Sequence, residues 1–305
     1  MGSAITCRIG YLPEWFAVDI GDMSIFTVDG LMECIEAVKN AHFVDAGWAY
    51  APLVTARCGE KAIYSCRLFD LPKTHVLTHR CPVSEWHADF LIWCMSFFKG
   101  MRITRRSYAY LDATPIDVSK LTDFIMVGKG FESAIFLCDC FFKRHPGNAS
   151  KKIAGAIHAM FMASTPRLLG FERFGYLYTS IDACYSAFSS LFNINGRVGH
   201  YERPSIMCNE LGIPVPVWAS PDNRKTFISR LRNDMIHDSL FFGEPLGFST
   251  FESMKNTPCR NIVMEMKGFV CKILMALLLG QYRVGWYIEV PLSNRNPRGV
   301  DVVMA

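Results

Sequence analysis

The feature that most restricts the fold of this chain is a stripe of large apolar side chains in its second half. Between residues 171 and 192 these side chains recur three or four positions apart, which is the repeat of one face of an α-helix. Such a wide apolar face predicts a helix that packs into a core. The residues of the stripe are Phe171, Phe174, Tyr178, Ile181, Tyr185, Phe188 and Phe192.

The segments around the stripe predict further helices, so the second half of the chain favours an all-helical bundle. One of them should run from Pro221 to about Phe242, because Ser220-Pro221-Asp222 is a typical helix start and Gly243 is a typical helix end. Apolar residues at helical spacing also mark Val118–Phe142, Lys151–Ala163 and Asn261–Gly280.

The first hundred or so residues favour strands instead. Their apolar segments are short, rich in β-branched and aromatic residues, and separated by turn signals such as Gly21-Asp22. Leu31–Asn40 and Trp86–Gly100 are exceptions with helical spacing. We therefore predict an α+β chain with a strand-rich N-terminal domain at 1–112, a helical bundle at 113–285 and a short C-terminal β-hairpin or tail at 286–305.

Composition excludes several classes of protein. With 50% apolar and 20% charged residues the chain is an ordinary globular protein, neither disordered nor collagenous. A net charge of +4 permits a nucleic-acid partner without requiring one. The longest apolar run, Ile273 to Leu279, is far shorter than the ~20 residues that a membrane span needs. We expect no membrane association.

The twelve cysteines indicate a reducing compartment. They are scattered, most lie in apolar runs, and no signal-peptide pattern precedes them, which predicts a cytoplasmic protein. The best metal candidate is the group Cys66, His75, His79 and Cys81, but its spacing fits no common zinc motif. Scattered core and strand residues are the favoured interpretation, and we expect neither a metal nor a cofactor.

Chemistry is indicated by Arg232 and His237, late in the helix predicted from Pro221. Arginine is a fixed cation that forks onto phosphate, and histidine exchanges protons near neutral pH, so the pair suits phosphodiester cleavage without a metal. In an α-helix the two residues are separated by ~7.5 Å of rise and ~140° of rotation. Asn233 lies four residues before His237 and is expected to hold the imidazole in one tautomer. The alternative is that both residues belong to a solvated helix face.

The run Arg232-Asn233-Asp234-Met235-Ile236-His237 has the form R-N-x-x-x-H. With the aromatic helix before it and the continuation to Gly243 and Pro245, it resembles the signature of the HEPN superfamily of RNase and nucleotide-binding domains, and within it the ApeA-like branch. The resemblance covers about residues 118–280, so the bundle is expected to be HEPN-like.

The resemblance implies a metal-independent endoribonuclease that acts as a homodimer and leaves 2′,3′-cyclic phosphate and 5′-OH ends. Arg232, Asn233 and His237 would be its catalytic residues. A toxin or antiviral-defence setting is implied too, with an antitoxin or a defence-complex protein as a possible partner. Two alternatives stay open: a non-catalytic HEPN module that binds RNA or a nucleotide, and a scaffold subunit of a defence complex.

Other residues are expected to assist this site. Asp182 and Glu172 could support Arg232 from the neighbouring helix; the alternative for Glu172 is a carboxylate in the first helical turn, and for Asp182 a capping or hydroxyl contact. Arg230, Arg105 and Arg106 are the candidates for RNA binding, the last two because cations alternate there with tyrosines as in single-strand binders. Solvated surface charge is the alternative for these cations.

Overall fold

The computed structural model of the chain describes residues 3–40, 44–51, 53–54, 64–65, 67–126, 128–194, 196–222, 225–248, 261–280, 284–286 and 298–302. The architecture is mixed α/β and divides into two compact units. Unit 1 comprises residues 1–143 and 285–305, and unit 2 comprises residues 144–284. The division therefore lies at 143/144 and not at the predicted 112/113. Among the described residues, no helix has both the length and the apolar character needed to cross a membrane.

Unit 1 contains the strands predicted for the first part of the chain, together with helices. The helices are α1 (Leu31–Lys39), α2 (Glu85–Lys99) and α3 (Gly128–Arg144). The strands are β1 (Ser3–Ile9), β2 (Ala17–Ile20), β3 (Met23–Thr27), β4 (Val44–Asp45), β5 (Trp48–Tyr50), β6 (Leu53–Val54), β7 (Tyr64–Ser65), β8 (Leu68–Phe69), β9 (His75–Val83), β10 (Tyr110–Leu111), β11 (Ala113–Pro115) and β12 (Phe124–Ile125).

The main sheet of unit 1 is antiparallel and has the order β1-β9-β3-β2. In β9, burial alternates from His75 through Leu77 to His79, so these three side chains point into the core. Helix α2 follows β9 directly, and the Ser84 hydroxyl caps it by accepting a hydrogen bond from the N–H of His87 (3.1 Å). Helix α2 ends at Gly100, which has φ 58°. The helices expected at Leu31–Asn40 and Trp86–Gly100 are confirmed.

Helix α3 starts later than the predicted Val118. The backbone of the preceding segment bonds to the end of α2 instead of forming a helical ladder. Ser119 N–H donates to the carbonyl of Lys99 and Leu121 N–H to that of Gly100, both at 2.8 Å. Residues 118–126 therefore precede α3, and the apolar spacing there does not mark a helical turn.

Unit 2 is built from helices around the predicted aromatic stripe. The middle residues of that stripe, from Phe174 to Phe188, are buried, whereas Phe192 at its end is exposed. Helix α5 packs against α4 and α8, and Ser180 Oγ donates to the carbonyl of Ala156 across the α4–α5 contact (2.7 Å). The elements are α4 (Asn148–Ala163), α5 (Gly170–Leu191), α6 (Arg203–Glu210), a 3₁₀ turn (Val217–Ala219), α7 (Phe227–Asn233), a π turn (Asp234–Asp238), β13 (Leu240–Phe241), β14 (Glu244–Pro245) and α8 (Ile262–Leu279).

The C-terminal segment adds strands to unit 1. They are β15 (Val284–Trp286) and β16 (Arg298–Val302), and β16 lies between β12 and β15. The two tail strands are hydrogen-bonded neighbours, as in the hairpin that was one of the two predictions for this segment, and β16 also runs parallel to β12, so the tail forms part of a sheet with an earlier strand. Residues 287–297 lie outside the described residues, so most of the strand predicted at 286–290 does too.

Candidate functional site

Arg232 lies at the end of α7 in unit 2. This helix starts at Thr226, not at Ser220 as predicted, because Thr226 and Ser229 cap each other: the N–H of Ser229 donates to the Thr226 hydroxyl (3.2 Å), and the Thr226 N–H donates to the Ser229 hydroxyl (2.9 Å). Ile228 and Leu231 bury one side of the helix. Arg230 and Arg232 project from its last turn.

The predicted helix to Phe242 is also interrupted, because residues Asp234–Asp238 form a π turn. Here the N–H of Ser239 donates to the carbonyl of Asp234, five residues back. A π turn is wound more loosely than an α-helix, so residues five apart come closer to a common face. The rotation about the helix axis from Arg232 to His237 is therefore smaller than the ~140° of a continuous α-helix. Single π turns of this kind are frequent at functional sites.

The motif faces solvent. His237 and Asn233 are exposed and Arg232 is half-buried, whereas Met235 points toward α5, where a Cβ on Gly175 would lie 3.5 Å from its Cε. Nη1 of Arg232 donates to the side-chain oxygen of Asn233 (3.0 Å). The amide of Asn233 thus orients the guanidinium of Arg232. The contact predicted from the sequence was with the imidazole of His237 instead.

Tyr178 of α5 is close enough to Arg232 to feel its charge. Burial raises the pKa of its phenol to about 12, and the nearby charges of Arg232 and Arg203 oppose that rise. The Tyr178 ring lies 6.4 Å from the ring of His200. Arg232 is therefore close to a buried hydroxyl, and a second histidine lies beside the same tyrosine.

Asp182 and Glu172 do not support Arg232. Asp182 Oδ1 accepts from Nη1 of Arg203 (2.7 Å), and its Oδ2 lies 3.3 Å from Nδ1 of His200. Glu172 Oε2 accepts from the N–H of Leu169 (2.8 Å) and caps α5, which confirms the first-turn alternative. The capping or hydroxyl contact considered for Asp182 is wrong, because its carboxylate pairs with Arg203 of α6 instead.

Sequence reasoning missed His200, Arg203 and Tyr178. The first two lie at the loop that enters α6 and carry no periodic signal, and Tyr178 was assigned to the core stripe alone. One signal was present in the spacing of His200 and Arg203, three residues apart at a helix start, where both can reach one carboxylate.

The cations expected to bind RNA behave differently in the two units. Arg230 of unit 2 is exposed. In unit 1, Arg105 and Arg106 both donate to Asp89, at 2.7 and 2.6 Å. Burial opposes ionisation of Asp89, but these hydrogen bonds outweigh it and lower the pKa of its carboxyl. The charges of Arg105 and Arg106 are thus partly neutralised, which argues against a role in phosphate binding.

Arg105 and Arg106 help to line a pocket of about 310 Å³ in unit 1. Its most prominent contact is the guanidinium of Arg102, which stacks on Trp93 at 3.7 Å from the ring centre. Burial lowers the pKa of Arg102 to about 10. Tyr110, expected to alternate with these cations on the surface, is buried and donates its hydroxyl hydrogen to the carbonyl of Gly10. The alternating pattern of cations and tyrosines therefore does not form a continuous exposed strip.

The metal group considered from the sequence is not brought together. Cys66 lies outside the described residues, and Cys81 is exposed. The ring nitrogens of His75 lie 3.0 Å from the hydroxyls of Thr27 and Thr74.

His79 belongs to a different cluster, in which its ring and that of His87 both approach Asp139. Burial disfavours the charged carboxylate of Asp139, but contacts with His87 and Lys143 outweigh it and hold its pKa well below the ordinary range.

Comparisons with family models, with curated proteins and with solved structures gave no match to this chain. Membership of a family therefore stays a prediction from the R-N-x-x-x-H motif.

Proposed function

We propose that the helical unit is an endoribonuclease of HEPN type that cleaves RNA without a metal. The observation that carries the proposal is the π turn between Arg232 and His237. A π turn rotates residues five apart closer to a common face than an α-helix does, and His237 is exposed and Arg232 half-buried, which supports a shared site. An external phosphodiester can reach such a face.

The chemistry uses only groups of the chain and of the RNA. A neutral imidazole of His237 takes the proton from a ribose 2′-OH, and the 2′-oxygen attacks the adjacent phosphorus. The guanidinium of Arg232 stabilises the charge that builds on the non-bridging oxygens. The bond from phosphorus to the 5′-oxygen breaks and that oxygen receives a proton, which leaves a 2′,3′-cyclic phosphate and a 5′-OH.

Asn233 acts as a positioning residue in this scheme. Its side-chain oxygen accepts from Arg232 and so restricts the guanidinium before the substrate arrives. Arg230 is exposed and lies one helical turn before Asn233, where it is placed to contact a neighbouring phosphate of the strand.

A second copy of the chain completes the site in this proposal. Base and acid must act on opposite sides of the scissile phosphate, and a two-fold axis beside the motif supplies two copies of His237. Two large apolar side chains near the motif, Ile236 and Phe248, are 52% and 74% exposed, and a homodimer contact would cover such residues. Action as a cytoplasmic toxin or defence nuclease, held by an antitoxin or a complex partner, belongs to the same proposal.

Cleavage of labelled single-stranded RNA in excess EDTA tests the proposal. We expect the wild-type chain to give cyclic-phosphate ends and Arg232→Ala and His237→Ala to give none. Glu172→Gln is the matched control, because Glu172 caps α5 and takes no part in the reaction. RNA binding without cleavage by the wild-type chain would select the non-catalytic module, and neither binding nor cleavage would select the scaffold.

A further inference from the structure

Unit 1 contains a buried cluster that the proposed nuclease does not use. His79 of β9, His87 of α2 and Asp139 of α3 are 1%, 4% and 3% exposed. One ring nitrogen from each histidine and a carboxylate oxygen lie within 4.8 Å of one another. Two consecutive elements, β9 and α2, and the later helix α3 therefore direct their polar atoms to one point in the core.

The ring of His79 is oriented by its own strand. Its Nδ1 lies 2.9 Å from the carbonyl oxygen of Cys81, which can only accept, so Nδ1 carries a hydrogen. In the neutral ring Nε2 then has a lone pair, and it faces Oδ1 of Asp139 at 3.3 Å. Two acceptors that face each other in a core need a positive centre between them.

His87 directs a second nitrogen at the same oxygen. Its Nε2 lies 2.8 Å from Oδ1 of Asp139, yet the direction of this approach does not satisfy hydrogen-bond geometry. Among the described residues this buried Nε2 has no hydrogen-bond partner. The ring is held by stacking on Phe142, with centroids 4.1 Å apart. This nitrogen is thus buried without a hydrogen bond of good geometry, and its lone pair is placed to bind the same cation as Oδ1 of Asp139.

Lys143 fixes the carboxylate from the other side. Its Nζ lies 2.8 Å from Oδ2 of Asp139 and 3.1 Å from Oδ2 of Asp22. Oδ2 is thereby occupied by the ammonium, and Oδ1 remains directed at the two rings. The contact between His79 and the Cys81 carbonyl likewise matches the outer contacts that orient metal-binding histidines.

We propose that the His79–His87–Asp139 cluster binds one divalent transition-metal ion, for which Zn²⁺ is the first candidate. Imidazole and carboxylate ligands suit this class of ion. Two ligand atoms each ~2.1 Å from a tetrahedral ion lie ~3.4 Å apart. The separation of 3.3 Å between His79 and Asp139 agrees, and the shorter 2.8 Å to His87 requires a small outward movement of that ring.

The site is structural in this proposal. Because its three ligands are buried, an RNA strand has no access to the ion, and only a ligand as small as water can fill the fourth position. The ion joins β9, α2 and α3 and so stabilises the core of unit 1. The proposal departs from the metal-free chain expected from the sequence. Asp139 gave no signal there because it lies 60 residues from His79, and the spacing of His79 and His87 alone fits no common zinc motif.

The test uses the full chain after dialysis against a chelator. Added Co²⁺ should give the visible absorption of a four-coordinate site, saturating at one ion per chain, and Zn²⁺ should displace it. At a Zn²⁺ concentration about 100-fold above Kd, Tm should rise by roughly 5–10 °C. A wild-type chain that gives no such spectrum and retains no Zn²⁺ overturns the proposal.

Variants locate the ion. His87→Gln and Asp139→Asn should abolish the Co²⁺ spectrum, and His158→Gln, which changes an exposed histidine on α4, should preserve it. Equal loss in His158→Gln, or full retention in His87→Gln, would contradict the assignment. If the core variants do not fold, the wild-type titration decides alone. RNA cleavage by the metal-free chain tests the nuclease separately.

Discussion

Histidine is used in opposite ways in the two units of this protein. In unit 1, His75, His79 and His87 are buried, each against defined polar atoms or rings. In unit 2, His200 and His237 contact solvent. A buried imidazole has fixed partners and contributes to the fold, whereas an exposed one can meet an external substrate. Burial, which the residue type does not reveal, separates the two roles.

The arginines show the same contrast. Arg105 and Arg106 in unit 1 share Asp89, so their charge is largely satisfied within the protein. Arg230 of unit 2 is exposed, and Arg232 contacts the neutral amide of Asn233 and forms no ion pair within the part of the chain that the structure describes. A cation of the second kind is better suited to bind phosphate.

Two exposed histidines of unit 2, His200 and His237, should differ most in their effect on RNA cleavage. His237→Asn should lower the rate of RNA cleavage by roughly 10²–10⁴-fold, because it removes the general acid–base group. His200→Asn should change the rate far less, since His200 is engaged with Asp182. Single-turnover cleavage of one RNA by both variants measures the difference. Equal losses would move the acid–base role toward His200.

A buried histidine of unit 1 should make stability depend on pH. Burial lowers the pKa of His75 to about 4 from an ordinary 6.5. As the pH falls below 6.5 the unfolded chain takes up a proton that the folded chain refuses, so stability falls until about pH 4, by roughly 3 kcal/mol in total.

His75→Gln should be less stable at pH 7 but should lose less stability on acidification. Urea unfolding of both proteins between pH 7 and pH 4 gives the comparison. Parallel curves for the two proteins would show that His75 takes up its proton equally in both states.

The helix caps of the two units offer a smaller and matched effect. Thr226→Ala in unit 2 and Ser84→Ala in unit 1 each remove a hydroxyl that accepts a backbone hydrogen bond, and each should cost about 1 kcal/mol. Only Thr226→Ala should also slow RNA cleavage, because it loosens the helix that carries Arg232. Thermal unfolding and cleavage rates should be measured for both variants. Slower RNA cleavage by Ser84→Ala would contradict this expectation.

The smallest expected effect concerns RNA affinity. Arg230→Ala should weaken binding and reduce the slope of log K against log salt by about one. Arg106→Ala should leave that slope unchanged, because Asp89 already pairs with its guanidinium. Fluorescence titrations at several salt concentrations give both slopes. An equal reduction in Arg106→Ala would extend the RNA surface into unit 1.

The sequence predicted the parts of the fold that depend on local signals. The aromatic stripe of α5 and the Asn261 start of α8 are periodic or capped features, and both are confirmed. The start of α3 was wrong because residues near Ser119 bond to the end of α2, a contact that no local pattern contains. The C-terminal strand β16 pairs with β12, which lies far away in the sequence, and hydrophobic periodicity does not predict which distant strands pair.

The candidate site was predictable only in part. Arg232 and His237 lie on the same short element, so their spacing was informative. The π turn that changes their relative rotation was not predictable, because the sequence of this segment fits a continuing α-helix equally well. The contacts of Asp182 with Arg203 and of His79 with Asp139 join distant residues, and a pairing of this kind becomes visible only in three dimensions.

We propose that unit 2 cleaves RNA through the ribose 2′-OH, and a DNA strand with one internal ribonucleotide isolates that step. In EDTA the account predicts a single cut, on the 3′ side of that ribonucleotide, with a 2′,3′-cyclic phosphate on one product and loss of the cut in Arg232→Ala. Cleavage of the all-DNA strand, or an intact chimeric strand beside protein that binds it, would contradict the account.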